Sequence, residues 1–349
     1  MSNADACTDD IPAYRALERL YHSYLTGLIL TISSRAGASS AADVVFHMFR
    51  RQQQANFLPA LKKLGLEHLP HAVASAQYNY IVNRVGGVRV EYVYENDQKA
   101  WIRYPPPRWI WWGTAICGIP SEVSRAMLAG WHGNNGPALR NPRLGFVCTG
   151  QTVDSQPGLE GYYREYDRDL SPNELLMYSP GERCPRFRIE EAPRLPEIKL
   201  TEGKKQKSLR NYAGTYINAI VPVTVERLGP DMGGHYAKAA ARLVGMHMYD
   251  EVASLLGGIE PGPLGFAKAF ARLATGQGDD AVLEMQGATA YVRQTSWRLM
   301  TGRDNLSPAV FDACNELWMG LALAHDRFIH FDVIERRDRG DAFWAWRIS

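Results

Sequence analysis

The feature that most constrains this chain is that it echoes itself. Residues 126–136 read Ala-Met-Leu-Ala-Gly-Trp-His-Gly-Asn-Asn-Gly. Val123, Ala126 and Trp131 recur at the same spacing as Val310, Ala313 and Trp318, with Met319 where the first copy has His132. Three more echoes keep the same order. Residues 19–21 answer to 210–212, His47-Met48-Phe49 to His247-Met248-Tyr249, and Ala-Trp-Ile-Arg at 100–103 to Ala-Tyr-Val-Arg at 290–293. Each match is short, but an unbroken order on segments of matching pattern argues for a tandem duplication. The expected fold class is therefore α+β. Two structurally related domains would pack with pseudo-two-fold symmetry, Trp131 superposing on Trp318 and His47 on His247.

Local patterns supply the elements. Tyr14, Leu17, Leu20, Tyr21, Tyr24, Leu25 and Leu28 recur at helical spacing, and a second helix is expected over 41–65. A helical or mixed segment follows Pro70 and runs to Arg84. Residues 88–94 alternate apolar and polar, and with 99–104 they form a hairpin across Asn96-Asp97. Pro120 is placed to start a helix over 121–131, ended by Gly133 and Gly136. Residues 144–152 and 161–166 read as closing strands. The final strand around Trp346-Arg347-Ile348 has two candidate counterparts, residues 161–166 or Phe187-Arg188-Ile189, and the sequence leaves both open. The expected divisions are a tail over 1–13, a first repeat over 14–200 with an irregular Pro-rich end, and a second repeat over 201–349. The boundary falls in the charged run 202–207.

Composition narrows the function classes. A chain of 349 residues is too long for one small core. With 39 basic and 37 acidic residues it carries a formal charge of +2, which gives no long-range attraction to nucleic acid or anionic lipid. No apolar run is long enough for a membrane span, and the acidic N-terminus does not resemble a secretion signal. The five Cys, at 7, 117, 148, 184 and 314, form no paired motif and fit a reducing cytoplasm. The expected location is cytoplasmic. The expected partner is a small organic molecule, with no nucleic acid and no membrane, and a homodimer is allowed. No phosphate-binding loop, dinucleotide fingerprint or nucleophile elbow is present, so no cofactor is expected.

The candidate chemistry centres on His132. With Asn134 and Asn135 after Trp131 it would hold and protonate a carbonyl or hydroxyl; the competing reading is a helix end that uses Asn, Gly and His as terminators. His47 and His247 are a second candidate pair. Asp250 or Glu251, three or four residues after His247, would share its helical face and orient it as a base. The competing reading is a core His bonded for packing. Arg103 would bind a substrate carboxylate, or else lie in an ordinary strand ion pair. Trp101, Trp109, Trp111, Trp112, Trp131, Tyr78, Tyr80, Tyr104, Tyr162 and Tyr163 make the first half aromatic. That excess lines either a pocket, with Trp131, Tyr104 and Trp109 against substrate, or a large core. At least two of Trp109, Trp111 and Trp112 should be buried. His325, Asp326, His330 and Asp332 were weighed as metal ligands, but His325 has the wrong strand parity and no third ligand presents itself, so no metal is expected. Cys148 is a lone thiol with no base assigned to it.

Gly181, Cys184, Phe187 and Ile189, with Gly340, Phe343, Trp346 and Ile348 as an echo, give the order of elements a tail of the type Gly-x-x-Cys-x-x-Phe-x-Ile. The chain thereby resembles the group of 4-vinyl-reductase domains and the L-2-amino-thiazoline-4-carboxylate hydrolase family. The resemblance implies an α+β domain that encloses a small organic molecule. It assigns no catalytic residue, and Phe343 stands where the tail would carry its Cys. The functional expectation is a hydrolase or lyase that acts by acid/base chemistry on a small aromatic or heterocyclic substrate. The alternative is a non-catalytic ligand-binding or sensory protein.

Overall fold

A computed structural model describes residues 10–107, 110, 111, 113–195 and 201–349. The protein is α+β. Contacts divide it into two units, one of Met1–Leu28 with Lys199–Ser349 and one of Ile29–Ile198. Helix α1 (Ile11–Ala36) runs across that division, and it begins three residues inside the expected tail. Its first turns are tied to the C-terminal part of the sequence. The Tyr24 hydroxyl donates to Ala237 O at 3.1 Å, and Arg272 grips Asp10 at 2.6 and 2.8 Å.

The unit of Ile29–Ile198 continues with α2 (Ala38–Lys63) and α3 (His71–Val85), then β1 (Glu91–Asn96) and β2 (Lys99–Tyr104). Next come α4 (Ser121–Gly130), the short α5 (Asn135–Ala138), β3 (Leu144–Gly150), β4 (Leu159–Glu165) and β5 (Leu176–Tyr178). Val44, Val45, Met48, Phe49, Gln52, Phe57 and Leu61 form the buried stripe of α2, at the spacing of one helical face. The hairpin turn is as its residues require: Gln98 N donates to Asn96 Oδ1 at 2.9 Å. The sheet runs β1–β2–β4–β3–β5; β5 is parallel to β3 and every other pair is antiparallel.

The other unit adds α6 (Glu202–Leu228), α7 (Pro230–Leu256), α8 (Gly262–Gln277), β6 (Val282–Gln286), β7 (Thr289–Gln294), α9 (Pro308–His325), β8 (Phe331–Glu335) and β9 (Trp344–Ile348). Its sheet runs β6–β7–β9–β8, all antiparallel. The charged run 202–207 is no linker: it forms the first turns of α6, whose Thr201 caps Lys204 N at 3.3 Å. Charge alone marks a solvated face as readily as a linker.

The two sheets can be laid over one another by their registers. Phe146 faces Tyr163, Cys148 faces Gly161, and after a bulge Gly150 faces Glu160. Phe331 faces Ile348, Val333 faces Trp346, and after a bulge Glu335 faces Ala345. β4 therefore holds the place in its sheet that β9 holds in the other. Phe187 and Arg188 lie in no strand, and Ile189–Glu191 is a single helical turn.

Each unit also has a helix crossing closed by a glycine. A Cβ on Gly130 would stand 2.5 Å from Phe46 O and 3.1 Å from Arg50 N, so α4 crosses α2 backbone to backbone there. A Cβ on Gly320 would stand 2.3 Å from Arg242 O and 3.0 Å from Met246 N. Placing the crossings together sets Gly130 on Gly320, Phe46 on Arg242 and Arg50 on Met246. In that placement Trp131 would answer to Leu321 and His47 to Leu243, three and four residues, or close to one helical turn, from the expected partners Trp318 and His247. A shift of one turn keeps every apolar residue on its face, so periodicity does not detect it.

Candidate functional site

The site lies in the unit of Ile29–Ile198 and is built around one phenol. Tyr163 comes from β4, Asn79 from α3, His132 from the turn after α4, and Asn135 opens α5. All four are buried. The Tyr163 oxygen lies 2.6 Å from His132 Nδ1, 2.9 Å from Asn79 Nδ2 and 3.0 Å from Asn135 Nδ2.

Backbone carbonyls settle who donates. Asn79 Nδ2 also donates to Ser75 O at 2.8 Å, so the nitrogen of that amide is the atom facing Tyr163. Gln53 Nε2 donates to Asn134 O and to Asn135 Oδ1, each at 3.2 Å, so Asn135 likewise turns its nitrogen to Tyr163. The phenol oxygen thus accepts two N–H bonds, which fills its acceptor capacity. Its own proton must go to His132 Nδ1. The tautomer that fits this bond carries its proton on Nε2. Burial pushes the Tyr163 phenol well above its ordinary range, so it stays a phenol and keeps donating.

Aromatic rings close around this centre. Phe146 stacks on His132 with centroids 4.7 Å apart at 23°, and Tyr104 approaches it at 6.4 Å. The Tyr104 hydroxyl donates to Asn79 Oδ1 at 3.3 Å and accepts from Asn83 Nδ2 at 3.4 Å. What the arrangement fixes is a buried imidazole, oriented by a phenol that stays protonated.

Of the residues expected from sequence, His132, Asn135 and Tyr104 meet here. Asn134 does not; its amide caps α4 through Ala129 O at 2.7 Å and Gly130 O at 3.3 Å. Half-buried Trp131 stacks on Tyr78 at 6.4 Å. Arg103 lies in a strand ion pair, 2.8 Å from Glu91 and 3.4 Å from buried Glu160. His47 turns back on its own helix, with Nδ1 2.9 Å from Asp43 O. His247, Asp250 and Glu251 are exposed on α7. Glu251 pairs with Arg19 at 3.5 Å, and no hydrogen bond or ion pair joins His247 to either acid among the described residues. Trp109 and Trp112 lie outside the described residues; Trp111 is buried.

Burial pushes the Cys148 and Cys184 thiols up to about 12, so neither is a thiolate near neutral pH. Among the described residues no three His, Cys, Asp or Glu side chains gather as metal ligands. His325 instead accepts from the Tyr249 hydroxyl at 2.6 Å and donates through Nε2 to Gly262 O at 3.1 Å. No helix among the described residues is long and apolar enough to cross a membrane.

Asn79 and Gln53 were not expected. Both are amides on the apolar faces of their helices, and that misplaced polarity is the signal that could have found them. The importance of Tyr163 is testable through stability. Tyr163→Phe leaves the two Asn donors and the imidazole acceptor without a partner in a buried place. Unfolding in urea should show a loss of about 2 kcal/mol; an unchanged midpoint would mean that the network reorganises freely. Set beside family models, curated proteins and solved structures, the chain matches none of them.

Proposed function

We propose that this chain is a small-molecule enzyme of the hydrolase or lyase type, in which neutral His132, fixed by Tyr163, acts on a carbonyl or heteroatom of a small aromatic or heterocyclic substrate. We also propose that its two units are tandem copies, of which only one works. The shared strand order, the shared bulge and the two glycine crossings support the duplication. The resemblance to the 4-vinyl-reductase and thiazoline-carboxylate hydrolase group supports an enclosed organic ligand.

One observation carries the reading: the fold has no need of the network. Where Tyr163 faces Phe146, the other sheet has Ile348 facing Phe331. Where His132 follows the crossing glycine by two residues, α9 has Ala322. Asn83 O receives Val88 N, and Ala274 O receives Asp279 N, so Phe270 stands one turn back where α3 has Asn79. Phe270 packs against Trp346 at 5.0 Å, Phe331 at 5.2 Å and Trp318 at 5.5 Å. The same architecture is filled with hydrocarbon in one unit and with oriented donors in the other. Buried polar groups cost stability relative to an apolar filling, so their retention marks a use.

The test has two parts. Nitrogen NMR of His132 should report the Nε2–H tautomer, neutral at pH 7. A screen of small aromatic and heterocyclic amides, esters and β-eliminable compounds should find turnover. A charged imidazole at pH 7 would remove the argument. The second reading, a ligand-binding protein without chemistry, is favoured by the closure of the network, since His132 is only 6 % exposed. Saturable binding of such compounds without turnover would establish it.

A further inference from the structure

The unit of Met1–Leu28 with Lys199–Ser349 contains a cleft unrelated to His132. It has a volume of about 290 Å³, near the lower end of what small ligands occupy. Tyr21, Arg210, Asn211, Thr215, Asn218 and Arg298 line it, so two guanidinium groups and several other polar side chains stand in a wall whose larger share is apolar.

Arg210 is the unusual member. It is 4 % exposed, yet no ion pair holds it among the described residues. One of its N–H groups donates to Gln277 O, its ring neighbour is Tyr14 at 5.1 Å, and its Nε has no hydrogen-bond partner. The nearby acid, Asp279, favours the Arg210 charge at a distance but makes no ion pair with it among the described residues. Asp279 is occupied by neutral donors: Gln277 Nε2 at 2.6 Å, Arg298 N at 2.6 Å and Ser296 Oγ at 3.1 Å. Exposed Arg298 adds a second positive charge, without an ion-pair partner among the described residues, and it flanks Gly278 together with Arg210.

A buried cation with unused donors is costly unless something anionic completes it. The exposed guanidinium of Arg298 at the same cleft repels Arg210, which raises that cost. An oxyanion between the two forks would satisfy the open Nε, offset the positive charge and leave the rest of the cleft for its organic body. We propose that this cleft binds a small molecule through an oxyanion, carboxylate or phosphate, taken by Arg210 and Arg298.

The experiment uses the full chain with benzoate and inorganic phosphate as probes, and sodium chloride at matched ionic strength as the reference. Calorimetry and thermal unfolding should show one-to-one binding of at least one probe, with a rise in Tm that chloride does not reproduce. Binding of benzoate alone identifies a carboxylate ligand, and binding of phosphate alone a phosphate ester. Arg298→Ala should keep the unliganded Tm, because the side chain is exposed, and weaken binding roughly tenfold, the worth of one charge-assisted contact. Arg210→Lys retains the charge but not the fork and should weaken it at least as much. If that variant fails to fold, Arg298→Ala alone decides. Absence of binding by both probes, equal affinity in Arg298→Ala, or an effect matched by chloride would each overturn the proposal.

Discussion

Replacing His132 by Gln is expected to lower turnover of any substrate found in the screen by roughly two to four orders of magnitude, the usual worth of a positioned proton-transfer group. Gln is the informative choice because its amide oxygen can still accept the Tyr163 proton. The Tyr163 oxygen keeps its bonds to Asn79 and Asn135, and the core keeps a polar residue where it has one now. What disappears is the flat imidazole that carries a proton on its far nitrogen. Folding should therefore change little while the rate falls. The measurement is kcat for wild type and variant, with urea unfolding alongside. A variant that turns over at the wild-type rate would take His132 out of the mechanism, whatever its place in the network. The next candidate would then be exposed His247 with Asp250 or Glu251, where no hydrogen bond joins base and acid among the described residues.

The second large effect is expected where α7 and α9 touch. A Cβ on Gly245 would stand 2.3 Å from Leu317 O, and one on Gly320 2.3 Å from Arg242 O. Both obstacles are helix backbone, which cannot rotate aside as a side chain does. The helices must separate, and every contact along their length loosens. Gly245→Ala and Gly320→Ala should each cost about 3 kcal/mol, the upper part of the range for overpacking. Gly214→Ala in α6 is the control. Its nearest neighbour would be Leu299 at 3.8 Å, an ordinary contact, so the better helix former should stabilise by about 0.5–1 kcal/mol. Equal midpoints for Gly245→Ala and wild type in urea would mean that the helices are not held at this distance.

The sequence by itself determined what depends on neighbours a few residues apart. The helical face of α2, the Asn96 turn of the hairpin and the alternating strands all follow from local spacing and turn chemistry, because those forces act within one element. It also pointed to His132, Asn135 and Tyr104, since a His and an Asn in a Gly-rich turn are conspicuous. Only the tertiary structure decided the rest. Tyr163, Asn79, His132 and Asn135 stand on four different elements, and no single element announces that the four meet. Their roles arise when two backbone carbonyls, Ser75 O and Asn134 O, orient two amides and leave the phenol one direction for its proton. The echoes in the sequence suggest one register for a relation between the halves, and the glycine crossings offer another about one turn away. Helical periodicity is indifferent to such a slip; only the glycine crossings, where two backbones meet, distinguish one register from the next.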